Sequence, residues 1–118
     1  MNARICLVED EAMLLEMTQA DLEDLGLRVF PAVSCDEAWQ AISSHMQFDV
    51  LVTDIRTPGE RDGWELACSA RALLPGLAVV YVSGFTAEKP KPVPGSIFLS
   101  KPYRLTELEH ALRRLGVI

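Results

Sequence analysis

Between Phe48 and Ile55 the chain runs Phe-Asp-Val-Leu-Val-Thr-Asp-Ile, and this stretch limits the fold more than any other. Val50 to Thr53 is short, β-branched and apolar enough to be a strand buried on both faces, which requires a sheet covered by helices on both sides. The run ends in a carboxylate, Asp54, and turn residues follow at once as Pro58-Gly59 and Asp62-Gly63. An acid at the carboxyl end of a buried parallel strand lies where α/β sheets assemble their binding sites. Taken alone, Asp54 reads as a cap on a loop or on the next helix, because acids after strands often serve that way. Its company elsewhere in the chain reverses that reading.

The remaining elements alternate. Arg4 to Val8 reads as a first strand, and Glu11 to Leu25 as a helix closed by Gly26. Leu27 to Phe30 reads as a short second strand, and Ser34 or Asp36 caps a helix running to about Ser44. Trp64 to Leu74 makes a helix stopped by Pro75-Gly76, and Leu77 to Val82 and Ser96 to Leu99 are a fourth and a fifth strand. Thr106-Glu107-Leu108-Glu109 has the form of a capping box for a last helix, with Leu105, Leu108, Leu112 and Leu115 on one face. Strands and helices alternating at this spacing give a parallel sheet with helices on both sides. One crossover breaks the rhythm: Pro90, Pro92 and Pro94 forbid a regular helix before the fifth strand, so one helical turn at most and then an irregular arm is expected there.

A length of 118 residues fits one domain with a real core, and a domain spanning 1–118 with no effector domain attached is the expectation. No apolar run approaches the roughly 20 residues of a membrane helix, and the start has no signal-peptide pattern, so a cytoplasmic protein is expected. A net charge of −6 argues against direct contact with nucleic acid, whose phosphates want a basic surface. Cys6, Cys35 and Cys68 are too scattered for a disulfide framework or a metal site, and Cys6 reads as a small buried hydrophobe. His45 and His110 lack ligand-spaced partners and read as surface residues, and Trp39 and Trp64 read as packing residues.

The polar residues at strand ends then line up. Glu9, Asp10 and Glu11 follow the first strand, Asp54 ends the third, Ser83-Gly84 follows the fourth, and Lys101-Pro102 follows the fifth. Parallel strands point these ends the same way, so they converge on one pocket. Carboxylates brought together repel unless a cation joins them, and all-oxygen ligands suit a hard ion such as Mg²⁺. A lysine and a hydroxyl beside them complete a site for an oxyanion.

On these residues the chain resembles the receiver domains of two-component response regulators, over essentially its whole length. The matching positions are Val8-Glu9-Asp10, Thr53-Asp54, Pro58 with Asp62-Gly63, Ser83-Gly84 and Phe98-Leu99-Ser100-Lys101-Pro102. The resemblance implies a flavodoxin-like (CheY-like) doubly wound sheet of five parallel strands in the order 2-1-3-4-5, with the fourth helix reduced or absent. It implies a signalling phosphoacceptor rather than an enzyme, with Asp54 taking a phosphoryl group from a sensor histidine kinase or histidine phosphotransfer protein. Mg²⁺ would sit on Asp10, Asp54 and the Arg56 carbonyl, with Glu9 acting through water; Ser83 and Lys101 would meet the phosphoryl oxygens. Ser83 and Phe98 take the switch positions, Arg56 and Phe85 the positions that tune dephosphorylation, and the Lys101-Pro102 bond is expected to be cis. Phe98 lacks a hydroxyl, so it is free to lie inward even without phosphate, and the arm from Thr86 to Gly95 is the expected responding element. Downstream partners stay open, as do monomer or weak dimer.

On the first helix Leu14, Met17 (or Thr18), Leu22 and Leu25 form the expected core stripe, which leaves Met13 and Leu15 apolar beside the pocket. Receivers meet their phosphodonor helix on this face, so both are candidate docking residues. Departures from the family pattern are one extra residue between Pro58 and Asp62-Gly63, Thr57 in place of an apolar residue, which is expected to loosen that loop, and the proline-rich arm. Other readings are a non-phosphorylated pseudo-receiver, against which the complete set Asp10, Asp54, Ser83 and Lys101 argues, and a haloacid dehalogenase-type phosphatase, which wants an acid where Arg56 stands. A flavodoxin-like FMN binder would be repelled by Glu9-Asp10-Glu11.

Overall fold

The structure is a computed structural model that describes residues 2–84 and 90–118. The element order is β1 (Arg4–Val8), α1 (Ala12–Asp24), β2 (Arg28–Ala32), α2 (Cys35–Ser43), β3 (Val50–Asp54), α3 (Gly63–Leu73), β4 (Ala78–Ser83), β5 (Ile97–Ser100) and α4 (Leu105–Arg114). All strands are parallel in one sheet ordered β2-β1-β3-β4-β5. All five residues of β3 are buried, as the middle strand of a covered sheet must be.

Alternation along the strands builds two cores. Ile5, Leu7, Val50, Val52, Val80 and Val82 face α1 and α4. Cys6, Val8, Leu51, Val79 and Tyr81 face α2 and α3, where Trp64 packs on Tyr81 with ring centroids 4.5 Å apart. Local signals set most element ends. Gly26, at φ 93°, closes α1: its N–H bonds the Glu23 carbonyl and that of Leu27 bonds Leu22. Ser34 caps α2 by accepting the Glu37 N–H at 3.1 Å. His45 and His110 are exposed.

Several elements differ from the sequence expectation. β2 starts and ends later, and it includes Pro31. Arg28 donates its N–H to Ala3 and Ala32 receives that of Glu9, so even-numbered residues of β2 face β1 and Pro31 faces the free edge. The missing donor of the proline therefore removes nothing from the ladder. The last helix opens at Leu105, before Thr106, and Glu107 accepts the Arg104 N–H at 3.1 Å. On α1 the core stripe is Leu15, Thr18 and Leu22; Leu22 and the alternative Thr18 of the expected stripe are buried, whereas Leu14 and Leu25 are only half-buried and Met17 is exposed.

Among the described residues no helix joins β4 to β5. The arm is nonetheless fastened to the body. Val93 is buried, its N–H donates to the Tyr81 hydroxyl at 3.1 Å, and Arg71 donates to the Pro94 carbonyl at 2.9 Å. Phe98, opposite Tyr81 in the strand register, is 43% exposed and so does not lie inward here. Val93, not Phe98, is buried with Tyr81. Phe85 and the first half of the arm lie outside the described residues. No described helix is long and apolar enough to cross a membrane.

Candidate functional site

Strand register brings the polar ends level. Val8 pairs with Thr53, Asp54 with Val82 and Ser83 with Ser100, so Glu9, Asp10, Asp54, Ser83 and Lys101 meet at the carboxyl edge of the sheet. The Lys101 N–H donates to the Ser83 carbonyl at 2.9 Å, and the Lys101-Pro102 peptide bond is cis.

Lys101 Nζ lies 2.6 Å from Glu9 Oε1 and 2.7 Å from Asp54 Oδ1. Both carboxylates are buried, whereas Asp10 is exposed. Each Glu9 oxygen has a donor, since Oε1 meets Lys101 and Oε2 accepts the Glu11 N–H at 3.0 Å. Asp54 Oδ2 is buried and meets no hydrogen-bond donor among the described residues. One ammonium thus serves two buried carboxylates. Burial pushes the Asp54 carboxyl up to about 7; the Lys101 hydrogen bond opposes that rise and the Glu9 charge adds to it. For Lys101, burial works to lower the pKa, but its bonds to Asp54 and Glu9 hold it above the ordinary value.

Ligand oxygens of Glu9, Asp10 and Asp54 all lie within 4.8 Å of one another. An all-oxygen set with one buried, unpartnered carboxylate oxygen fits a hard divalent cation. The neighbouring ammonium suits an anionic oxygen brought to the same place. Arg56 is exposed, with Nη1 3.9 Å from Asp62 Oδ2.

Of the two candidate docking residues, Met13 is 72% exposed, but Leu15 is a core residue at 8%. Helix α1 begins at Ala12 without a side-chain cap, and from that start position 15 turns toward the sheet. Met17, four residues after Met13, is 61% exposed in its stead. With Leu14, Thr18, Pro102 and Tyr103 it lines a groove of about 440 Å³, which Lys101 also lines. The Met13–Met17 spacing was the available signal for that face.

Sequence reasoning also missed what holds the loop after β3. Thr57 does not loosen it: its Oγ1 accepts the Cys35 N–H at 2.9 Å, fastening the loop to the start of α2.

A family model described as the response regulator receiver domain matches residues 5–113. The chain is 30% identical to the response regulator receiver protein CpdR of Brucella abortus, over 95% of each chain. It is also 30% identical to the transcriptional regulatory protein CrdR of Helicobacter pylori over 97% of its own residues, which span about half (55%) of that protein. Among solved structures, a response regulator receiver protein from Sinorhizobium medicae superimposes with a TM-score of 0.91 at 36% identity, covering 97% of this chain and 94% of the other. The receiver domain of the hybrid histidine kinase CckA does so with a TM-score of 0.81 at 28% identity, covering 95% and 97%.

Proposed function

Because the chain belongs to the response regulator receiver family, we propose that it accepts a phosphoryl group on Asp54 from a phosphohistidine and changes its partner binding in response. The observation that carries this reading is a buried Asp54 whose Oδ1 meets Lys101 and whose Oδ2 meets no donor among the described residues. In the transfer an Asp54 oxygen bonds to phosphorus as the phosphorus–nitrogen bond breaks, and the imidazole nitrogen keeps the electron pair. Little covalent assistance is needed, since phosphoryl transfer is mainly positioning and charge neutralisation. Lys101 is already within 3 Å of Asp54 and supplies a fixed positive charge. Asp10, Asp54 and the Arg56 carbonyl would hold Mg²⁺, with Glu9 acting through water. Bound there, the ion neutralises charge on the phosphoryl oxygens.

Ser83 then serves as the hydroxyl that follows the phosphoryl group, and Phe98, already outward, as the aromatic whose position reports it. Incubation with acetyl phosphate and Mg²⁺, followed by intact-mass spectrometry, is expected to add one phosphoryl group per chain, and none when Mg²⁺ is chelated. An unmodified wild-type protein would favour the pseudo-receiver reading.

The exposed pair Met13 and Met17 is the proposed contact for the phosphodonor helix, a sensor kinase or phosphotransfer protein being the partner. Met17→Asp is expected to slow transfer from the cognate phosphohistidine protein about tenfold or more, since it puts a charge at the apolar centre of the proposed contact, where the few residues that dominate an interface each cost over about 1 kcal/mol to lose. Acetyl phosphate should react at the wild-type rate. Equal slowing with both donors would place Met17 in the fold rather than in docking.

A further inference from the structure

We propose that Asp36, in the first turn of α2, is a positioning residue for this site: its carboxylate clamps the loop that carries Arg56 away from Asp54. The proposal rests on the receiver reading, in which that loop supplies a metal ligand. Asp36 takes no part in ligating or in receiving the phosphoryl group.

The loop leaves β3 at Asp54 and enters α3 at Gly63. Asp36 Oδ2 accepts the Glu60 N–H and Oδ1 accepts the Arg61 N–H, each at 3.0 Å. Two successive backbone donors meet the two oxygens of one carboxylate, an arrangement that orders the backbone in direction as well as distance. The helix does not need this carboxylate as its cap, because Ser34 already supplies one. Gly59 sits at φ 114°, and a Cβ there would lie 2.3 Å from Asp36 Oδ2, so this close approach requires glycine. Two further ties run to the same helix. Thr57 accepts the Cys35 N–H, and the Arg61 guanidinium lies 4.6 Å over the Trp39 ring.

Loop residues 57, 60 and 61 are thereby attached to α2, and Arg56 lies between this attachment and Asp54. The two N–H donors also hold the Asp36 carboxyl below its ordinary value, so it is ionised wherever the protein is folded near neutral pH.

The experiment compares wild type, Asp36→Ala, Asp36→Asn and Gly59→Ala. Amide exchange is read in metal-free buffer, and Mg²⁺ affinity is read by calorimetry. In Asp36→Ala, exchange at Glu60 and Arg61 is expected to quicken at least tenfold, and Mg²⁺ affinity to fall about tenfold, as for other residues that orient a metal ligand. Asp36→Asn keeps one acceptor oxygen and should fall between. Gly59→Ala, which displaces the same carboxylate from the other side, should reproduce the loss. Faster exchange with Mg²⁺ affinity within about twofold of wild type would overturn the positioning role. Unchanged exchange at Glu60 and Arg61 would overturn the clamp itself. Failure of the wild type to bind Mg²⁺ would instead overturn the receiver reading on which the proposal rests.

Discussion

In metal-free buffer at pH 8, Asp54→Asn is expected to be more stable to urea than the wild type, by about 1–3 kcal/mol, and to lose that advantage as the pH falls toward 4. Asp54 is buried beside Glu9, and its carboxyl titrates near 7 in the folded protein against 3.8 as its ordinary value. Between those two pH values the folded chain holds a proton that the unfolded chain has released. Stability therefore falls as pH rises through this window, by at most about 1.4 kcal/mol per pH unit for one group. Below the window the carboxyl is neutral in both states and the penalty vanishes; above it the penalty is complete. Asparagine has the same shape and no titration, so the difference between the two proteins isolates this one group. The pairing with Lys101 opposes the rise and is already contained in that value. The same variant should take up no phosphoryl group from acetyl phosphate. A stability difference that does not vary with pH would refute the account of Asp54.

Lys101→Ala carries the second large effect. Its ammonium is within 2.7 Å of both Glu9 and Asp54, and no other Lys or Arg among the described residues forms an ion pair with either. Without it, two buried carboxylates face each other, and breaking such a pair leaves uncompensated charge worth about 3–5 kcal/mol. The folded chain escapes part of this by taking up a proton. Urea midpoints should therefore drop most at pH 8 and less at pH 6. The rate of phosphorylation by acetyl phosphate should fall about 100-fold or more, the usual consequence of removing a fixed charge from where negative charge develops. A rate within about threefold of wild type would show that Lys101 supports the fold and not the transfer.

Much of this was legible in the chain because it is written locally. Val50 to Asp54 reads as a doubly covered strand, Gly26 and Ser34 mark helix ends, and the acids and lysine fall directly after apolar runs. What escaped depends on phase or on distance. Leu15 escapes a reading of periodicity because Leu14 and Leu15 are adjacent and both apolar, so either can lead a helical stripe and only the packing decides. The ties from Asp36 and Cys35 to the loop after β3 join residues 22 to 25 positions apart, and neither helical nor strand periodicity records such a contact. Thr57 looked like a weak substitute for an apolar residue because its hydroxyl partner was out of sight. The arm looked free for the same reason. Its prolines announce that it is not a helix, but the Tyr81 hydroxyl that holds Val93 lies on a strand.

Pro31 has a consequence for how the protein behaves in a crowd. β2 is one outer border of the sheet, and a border strand with unused donors invites a stranger's strand to add to it, the first step toward fibres. Along β2 the residues facing outward are Val29 and Pro31, and only Val29 has a hydrogen to offer. A second chain laid alongside would find one bond where a continuous seam needs a row of them. At the opposite border β5 is four residues long, too short for a lasting graft. The two margins of the sheet are thus poor templates for an added strand.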